Sequence, residues 1–283
     1  MDGGRLPASG PPFASFRGPL PANGGGAAGF GDFEWEILPP NPALPPHEQM
    51  ALEEVLLREV IAGERPPTLR FWEWTRPALV LGSHQVLANE VDLETAGELG
   101  FTVCRRLSGG GTMLVEPGRS ITYTLVAPDA VVRGLSFVES YARLDKWVVD
   151  CLLSLGVPAG YRPINDITSP EGKIGGAAQA RRRQTVLHHT AIAYDLDPDL
   201  VPRLIRIGRD RVSDKGVRSA AKRVSPLHRW TSLSRDEVVS RLLAWFASLA
   251  STRPARLGEE TLDRVSALAR EKYATPAWID RLH

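Results

Sequence analysis

The chain has 283 residues, 43% apolar and 24% charged, with a formal net charge of +1. It is long enough to build a real core, and its near-neutral balance argues against a nucleic-acid binder working by bulk charge. The richest apolar run, Trp147 to Leu155, is broken by Asp150 and falls short of a membrane span. Two cysteines cannot make a disulfide framework and the start Met1-Asp2-Gly3-Gly4-Arg5 lacks the apolar stretch of a signal peptide, so a reducing cytoplasm is the expected location.

Residues 1–31 are dominated by Gly, Pro, Ala and Ser without helical or strand periodicity, and are expected to form a disordered tail ahead of a single domain over 32–283. Order should begin near Phe33-Glu34-Trp35-Glu36-Ile37. After the Pro-rich piece 39–46, Leu52, Val55, Leu56 and Val60 share one helical face, and Gly63 and Pro66 end that helix. Leu69 to Trp74 and Ala78 to Leu81 read as a pair of strands, Phe101 to Cys104 as a third, and Ser120 to Val126 as a β-rich alternating run. A long amphipathic helix carries Phe137, Tyr141, Leu144, Trp147, Val148, Cys151, Leu152 and Leu155 on one stripe. Strands are expected near Lys173-Ile174 and over Thr185 to Tyr194. From Val201 onward the pattern is mostly helical, most clearly over Val238 to Leu249.

Between the third and fourth strands stands Arg105-Arg106-Leu107-Ser108-Gly109-Gly110-Gly111-Thr112. Such a loop can cradle an anion, because glycine lets a ligand approach the backbone and guanidinium matches phosphate or carboxylate oxygens; a glycine triplet is also a permissive turn. Its position between strands argues against a Rossmann or P-loop site, both of which need a helix directly after the glycines. A second segment pairs Asn165-Asp166 with Gly172-Lys173-Ile174-Gly175-Gly176. A lysine among small residues can reach a phosphate or a carbonyl oxygen, or be a plain hairpin lysine; Asn165-Asp166 can cap a turn, hold a metal or orient an amine. His188 and His189 are adjacent on a strand, so at most one faces a given pocket. The basic stretch Arg206, Arg209, Arg211, Lys215, Arg218, Lys222 and Arg223 can meet an anion or form a solvated face.

With these pieces in order, the chain resembles the lipoate-protein ligase family, within the group that includes biotin protein ligases and octanoyl transferases. The matching pieces are Ala51 to Leu57, Leu69 to Trp74, Gly82 to Gln85, the Arg-Arg-x-Ser-Gly-Gly-Gly motif at 105–111, Asn165-Asp166-Ile167, Gly172 to Gln179, His188-His189, Arg223 to Leu227 and Lys272-Tyr273. The resemblance implies an α/β (α+β) fold: a mixed central β-sheet flanked by helices, like the catalytic domains of biotin ligases and class II aminoacyl-tRNA synthetases. It implies ATP and Mg²⁺ as cofactors, lipoate or octanoate as substrate, and an acyl-adenylate passed to a lysine of a lipoyl-domain protein. Such acceptors are the acyltransferase subunits of 2-oxoacid dehydrogenases and the glycine cleavage H protein; neither nucleic acid nor a membrane is implied as a partner. Arg106, Ser108, Gly109, Gly110 and Gly111 match the loop around the adenylate, with Arg70 near the same pocket. Lys173 and Asp166 match the catalytic positions, Asp166 orienting the metal or the amine. Asn165, Gly175, Ala177 and His188 or His189 match the lining.

Three departures stand out. The family's His-Asp pair and Gly-Asn after the glycines are replaced by Val115-Glu116-Pro117-Gly118-Arg119, its His-His-Gly reads His188-His189-Thr190, and little chain follows Trp278 for an accessory domain, so a separate accessory subunit is one expectation. Octanoyl transferases use a cysteine near the matching lysine. Residues 152–283 hold none, Ile207 stands where one transferase type needs it, and Cys104 precedes the arginine pair. ATP-dependent ligation is therefore the expected reaction, with acyl transfer from a carrier, or an inactive lipoyl-domain or acyl-binding module, as alternatives. Biotin ligases carry a Gly-Arg-Gly-x-x-Gly type of loop instead.

Overall fold

The computed structural model describes residues 26–40, 42–206 and 223–282. In chain order the elements are β1 (Glu34–Leu38), α1 (Pro46–Ala62), β2 (Thr68–Trp72), β3 (Ala78–Leu81), the short α2 (Leu87–Glu90) and α3 (Leu93–Glu98), β4 (Thr102–Arg105), β5 (Met113–Val115) and β6 (Ser120–Pro128). They continue with α4 (Phe137–Ser154), β7 (Gly160–Arg162), β8 (Asp166–Ser169), β9 (Gly172–Arg182), β10 (Thr185–Ala193), α5 (Leu200–Leu204), α6 (Arg235–Leu249), β11 (Ser251–Pro254), α7 (Glu259–Leu268) and α8 (Pro276–Ile279).

Local chemistry sets the helix ends. Ser136 and Glu139 close a capping box at the start of α4, Ser234 and Glu237 do the same for α6, and Gly63 ends α1 in the left-handed conformation. Eight strands form one sheet in the order β11-β1-β2-β6-β10-β9-β8-β7, and β4-β3-β5 form a second, smaller one. The large sheet is mixed: β1 runs parallel to both β11 and β2, while β2 through β7 pair antiparallel. One of its faces packs on α4 and α6 through Leu144, Trp147, Val148, Leu242 and Phe246; the other packs on α1 and α7 through Leu52, Leu56, Trp72, Val126 and Val265. The expected mixed sheet flanked by helices is the observed architecture.

Two sequence expectations change. The runs at 69–74 and 78–81 do not pair with each other: β2 joins the large sheet, while β3 becomes the centre of the small one, parallel to β4 and antiparallel to β5. Pro77 separates them, and the wholly apolar Ala78-Leu79-Val80-Leu81 is buried on both sides. The expected boundary of the tail at 31 also falls inside packed structure. The Phe30 ring lies 5.5 Å from that of Trp35 and 5.3 Å from that of Phe246, and Ala28 donates to the Ala130 carbonyl at 2.8 Å. Residues 1–25 of the expected tail lie outside the described residues, as do Ile207 and Arg209, Arg211, Lys215, Arg218 and Lys222 of the basic stretch.

Candidate active site

Along β8 and β9 the register runs Asp166 opposite Gly176 and Ile167 opposite Gly175, then slips so that Thr168 lies opposite Lys173. One extra residue on β9 forms a bulge, and a bulge reverses the alternation beyond it. Ile174 therefore enters the core with Ile167, while Lys173 turns to the face that carries Asp166. Lys173 Nζ lies 2.9 Å from Asp166 Oδ1, and its stem passes directly over Gly176, where a β-carbon would stand 2.4 Å from Nζ. The small residues around this lysine thus give its side chain room. Asn165 closes the end of β8 by donating from Nδ2 to the Ala177 carbonyl at 2.6 Å.

Facing this wall is the glycine loop, which joins β4 to β5. Arg106 is buried, and its guanidinium turns inward: Nε donates to Ser108 Oγ (3.0 Å), Nη1 to the Val80 carbonyl (2.8 Å), and Nη2 to the carbonyls of Gly109 (2.6 Å) and Gly111 (2.8 Å). Burial lowers its pKa to about 10, which leaves it cationic at neutral pH. Gly110 takes φ +94°, and its carbonyl presses on Gly82, where a β-carbon would come within 2.0 Å. Arg105 is tied to Gly82, Gln85 and Ile279 carbonyls, so both arginines fix the loop's shape.

Behind the loop runs a buried polar chain. Arg70 Nη1 donates to Glu53 Oε1 (3.0 Å), His189 Nδ1 lies 3.1 Å from Glu53 Oε2, and His189 Nε2 lies 2.8 Å from Ser108 Oγ. With the Glu53 carboxylate accepting at Nδ1, Nε2 is left to accept the Ser108 hydroxyl proton. Burial depresses the pKa of His189, with the Glu53 hydrogen bond opposing, so the neutral ring suits both bonds.

The two walls enclose a cleft of about 240 Å³. Of the residues singled out in the sequence, Arg106, Gly110, Gly111, Asn165, Lys173, Gly175, Ala177 and His189 line it. Ser108, Gly109 and Asp166 stand directly behind that lining. Arg70 does not reach the cleft: it lies two strands away under α1, with its guanidinium 4.6 Å over the Trp72 ring. His188 points through the other face of the sheet, where it bonds Asp145 at 2.7 Å. Only one of the adjacent histidines shares the cleft, as strand alternation requires. Glu116 sits on the β5–β6 turn beside Arg119 (3.8 Å), away from the cleft, with its pKa raised by burial. Both cysteines are buried elsewhere; burial pushes the Cys104 thiol up to about 12 and the Cys151 thiol up to about 11.

Sequence reading missed two parts of the site. One is the apolar end, where Leu114, Ala193, Leu196 and Ile205 pack as a cluster under the small sheet and line the cleft. These residues are far apart in sequence and carry no shared motif. The other is Glu53, whose signal was present: Gln49 and Glu53 are polar residues four apart on a helix face otherwise made of Leu52, Val55 and Leu56.

The fold defines a class first: this is the mixed α/β architecture of solved lipoate-protein ligases. Residues 45–247 match the family model of the lipoyl protein ligase A/B catalytic domain, and the chain belongs to that family. It is 30% identical over 262 residues to octanoyltransferase LipM of Carboxydothermus hydrogenoformans, covering 83% of this chain and 94% of the relative. It is 28% identical over 244 residues to lipoate-protein ligase A subunit 1 of Thermoplasma acidophilum, covering 81% and 90%. Among solved structures it superposes on the bi-partite lipoate protein ligase of Thermoplasma acidophilum with a TM-score of 0.73, at 24% identity over 88% of this chain and 98% of that one. A lipoate-protein ligase A bound with ATP gives a TM-score of 0.72, at 24% identity over 88% and 100%. Among the described residues no helix is long and apolar enough to cross a membrane.

Proposed function

We propose that the chain, with the packed residues Ala28 and Phe30 included, acts as one catalytic domain that joins lipoate or octanoate to a lysine of a lipoyl-domain protein through an acyl-adenylate made from ATP. The observation that carries this reading is a cleft lined by a lysine and a glycine-rich loop but no thiol. The chain has two cysteines, and both are sealed in packed cores with raised pKa values. A thioester route needs an accessible thiolate beside the lysine. A mixed anhydride is already activated and needs no enzyme nucleophile.

In the first step a carboxylate oxygen of the acid attacks the α-phosphorus and pyrophosphate leaves. In the second the acceptor amine attacks the acyl carbon, AMP leaves with its oxygen, and the amine proton is released. Lys173 supplies a fixed positive charge where negative charge gathers in both steps, and Asp166 holds its ammonium in place. The glycine loop offers backbone donors from a frame that Arg106 keeps rigid. The acyl chain fits the apolar end at Leu114, Leu196 and Ile205, where each buried methylene adds roughly 0.8 kcal/mol. A magnesium ion does not fit as a protein-held group. Asp166 is a single carboxylate already bonded to Lys173, and the described residues contain no cluster of three acidic, histidine or cysteine side chains. The bi-partite neighbour supports a separate accessory subunit as a partner.

The relatives named octanoyltransferase LipM favour a second reading, transfer from an acyl carrier. Incubating the protein with an unmodified lipoyl domain and either ATP plus free acid or an octanoyl carrier protein, followed by intact mass of the acceptor, separates the two. Modification with ATP and acid is expected, and modification from the carrier alone overturns ligation. The double variant Cys104→Ser, Cys151→Ser is expected to keep its ligation rate within about twofold once folded; abolished turnover in a folded variant returns the thioester route.

A further inference from the structure

Seven large apolar side chains are notably exposed among the described residues, and three of them gather at one spot: Phe137 (53%), Val138 (38%) and Ile164 (57%). Tyr161 ties the spot together, its hydroxyl donating to the carbonyls of Val138 and Ile164. The Arg181 guanidinium lies 5.7 Å from the Phe137 ring. Beside it the hairpin tip carries exposed Arg182 and Arg183, and Arg162 is exposed on β7; no ion-pair partner of these four arginines is found among the described residues. The nearby carboxylates are already engaged, Glu139 in the α4 capping box and Asp129 at 4.0 Å from Arg133.

This surface adjoins the cleft. Ile164 directly precedes Asn165, which lines the cleft and is bonded to Ala177. From Ala177, β9 runs on to Arg181 at the patch. Contiguous exposed apolar side chains rimmed by unpaired charge of one sign mark a protein-docking surface. We infer that this Phe137–Val138–Ile164 surface with its four arginines docks the acceptor protein, a folded domain with carboxylates flanking its target lysine, and delivers that lysine to the cleft. The inference rests on the proposed transfer to a protein lysine. The cleft binds the small substrates, and the patch sets which protein is modified.

The test compares a protein acceptor with a small one. The full-length wild type and the variants Ile164→Asp, Phe137→Ser and Arg181→Glu with Arg182→Glu are given ATP, octanoate and either an unmodified lipoyl domain or hydroxylamine, which traps the activated acyl group as a hydroxamate without docking. A rise of tenfold or more in the KM for the lipoyl domain is expected, with hydroxamate formation kept within twofold. Added salt should weaken wild-type use of the lipoyl domain and leave hydroxamate formation unchanged. An unchanged KM for the lipoyl domain in all three variants overturns the inference, as does an equal fall in both reactions. Ile164→Asp, more than half exposed, guards against misfolding as the cause. If wild type forms hydroxamate only from an octanoyl carrier, the ligation reading fails, and the same comparison with that donor still decides the patch. A KM that rises for the carrier and not for the lipoyl domain overturns acceptor docking.

Discussion

The two walls of the cleft use their cations in opposite ways. On the glycine-loop wall, Arg106 gives its hydrogen bonds to Val80, Ser108, Gly109 and Gly111, so its charge and its geometry serve the loop itself. On the β9 wall, Lys173 keeps a side-chain exposure of 31% and, among the described residues, one carboxylate partner at 2.9 Å, with its stem lying over a glycine. A buried guanidinium with satisfied donors is scaffold, whereas a half-buried ammonium in a cleft can follow a substrate's charge. The residue that most suggests anion binding in the sequence therefore mainly shapes the cradle, and the plainer lysine is the group left for chemistry.

Replacing each cation in turn should expose that contrast. For Arg106→Ala, the buried Val80 carbonyl and the part-buried carbonyls of Gly109 and Gly111 lose their donor, and the denaturation midpoint should fall by an amount equal to about 2–3 kcal/mol; a stable, fully folded variant would break the comparison. Lys173→Ala should behave in the opposite sense. Its urea midpoint should move little, while adenylate formation, measured by pyrophosphate release, should drop about 10²–10³-fold, the usual effect of deleting one charge-stabilising donor. Unchanged turnover removes Lys173 from the site. The loop's close seat on β3 gives a smaller test: Gly82→Ala places a β-carbon 2.0 Å from the Gly110 carbonyl oxygen, and should cost about 1–3 kcal/mol by chemical denaturation.

The smallest effect lies behind the loop. Burial lowers the His189 pKa below its ordinary 6.5, so the unfolded chain binds its proton more readily. Stability from this group is complete above about pH 6.5 and is lost as pH falls below that value toward the folded pKa, at no more than about 1.4 kcal/mol per pH unit. His47, also depressed by burial, acts in the same sense. Comparing urea midpoints at pH 7.5 and 5 should give a shallower decline for His189→Asn than for wild type; identical slopes would show that the folded ring binds its proton as readily as the unfolded one.

Much of the site was legible before folding because it is carried by short contiguous segments. The glycine loop needs its residues in sequence to make its backbone shape, and Gly172 to Ala178 needs small neighbours around one lysine. The alternation of His188 and His189 followed from strand geometry alone. Arg70 shows where contiguity misleads: it belongs to the matching segment Leu69 to Trp74, yet its partners are Glu53 and Gln49 of α1. A buried arginine is decided by what packs above it, which is a tertiary matter. The pairing of β2 with β6 in preference to β3 is of the same kind, since two adjacent apolar runs do not reveal which sheet each one completes.

The sequence by itself determined the helix faces and caps, the glycine-bearing loop, the lone lysine and the scarcity of thiols, because each depends on residue type or on spacing within a few positions. The structure alone decided that a bulge turns Lys173 toward Asp166, that Arg106 folds back on its own loop, and that Leu114, Leu196 and Ile205 form one apolar end. Those outcomes depend on strand register and on contacts between distant segments, where a one-residue slip moves a side chain to the opposite face of the sheet.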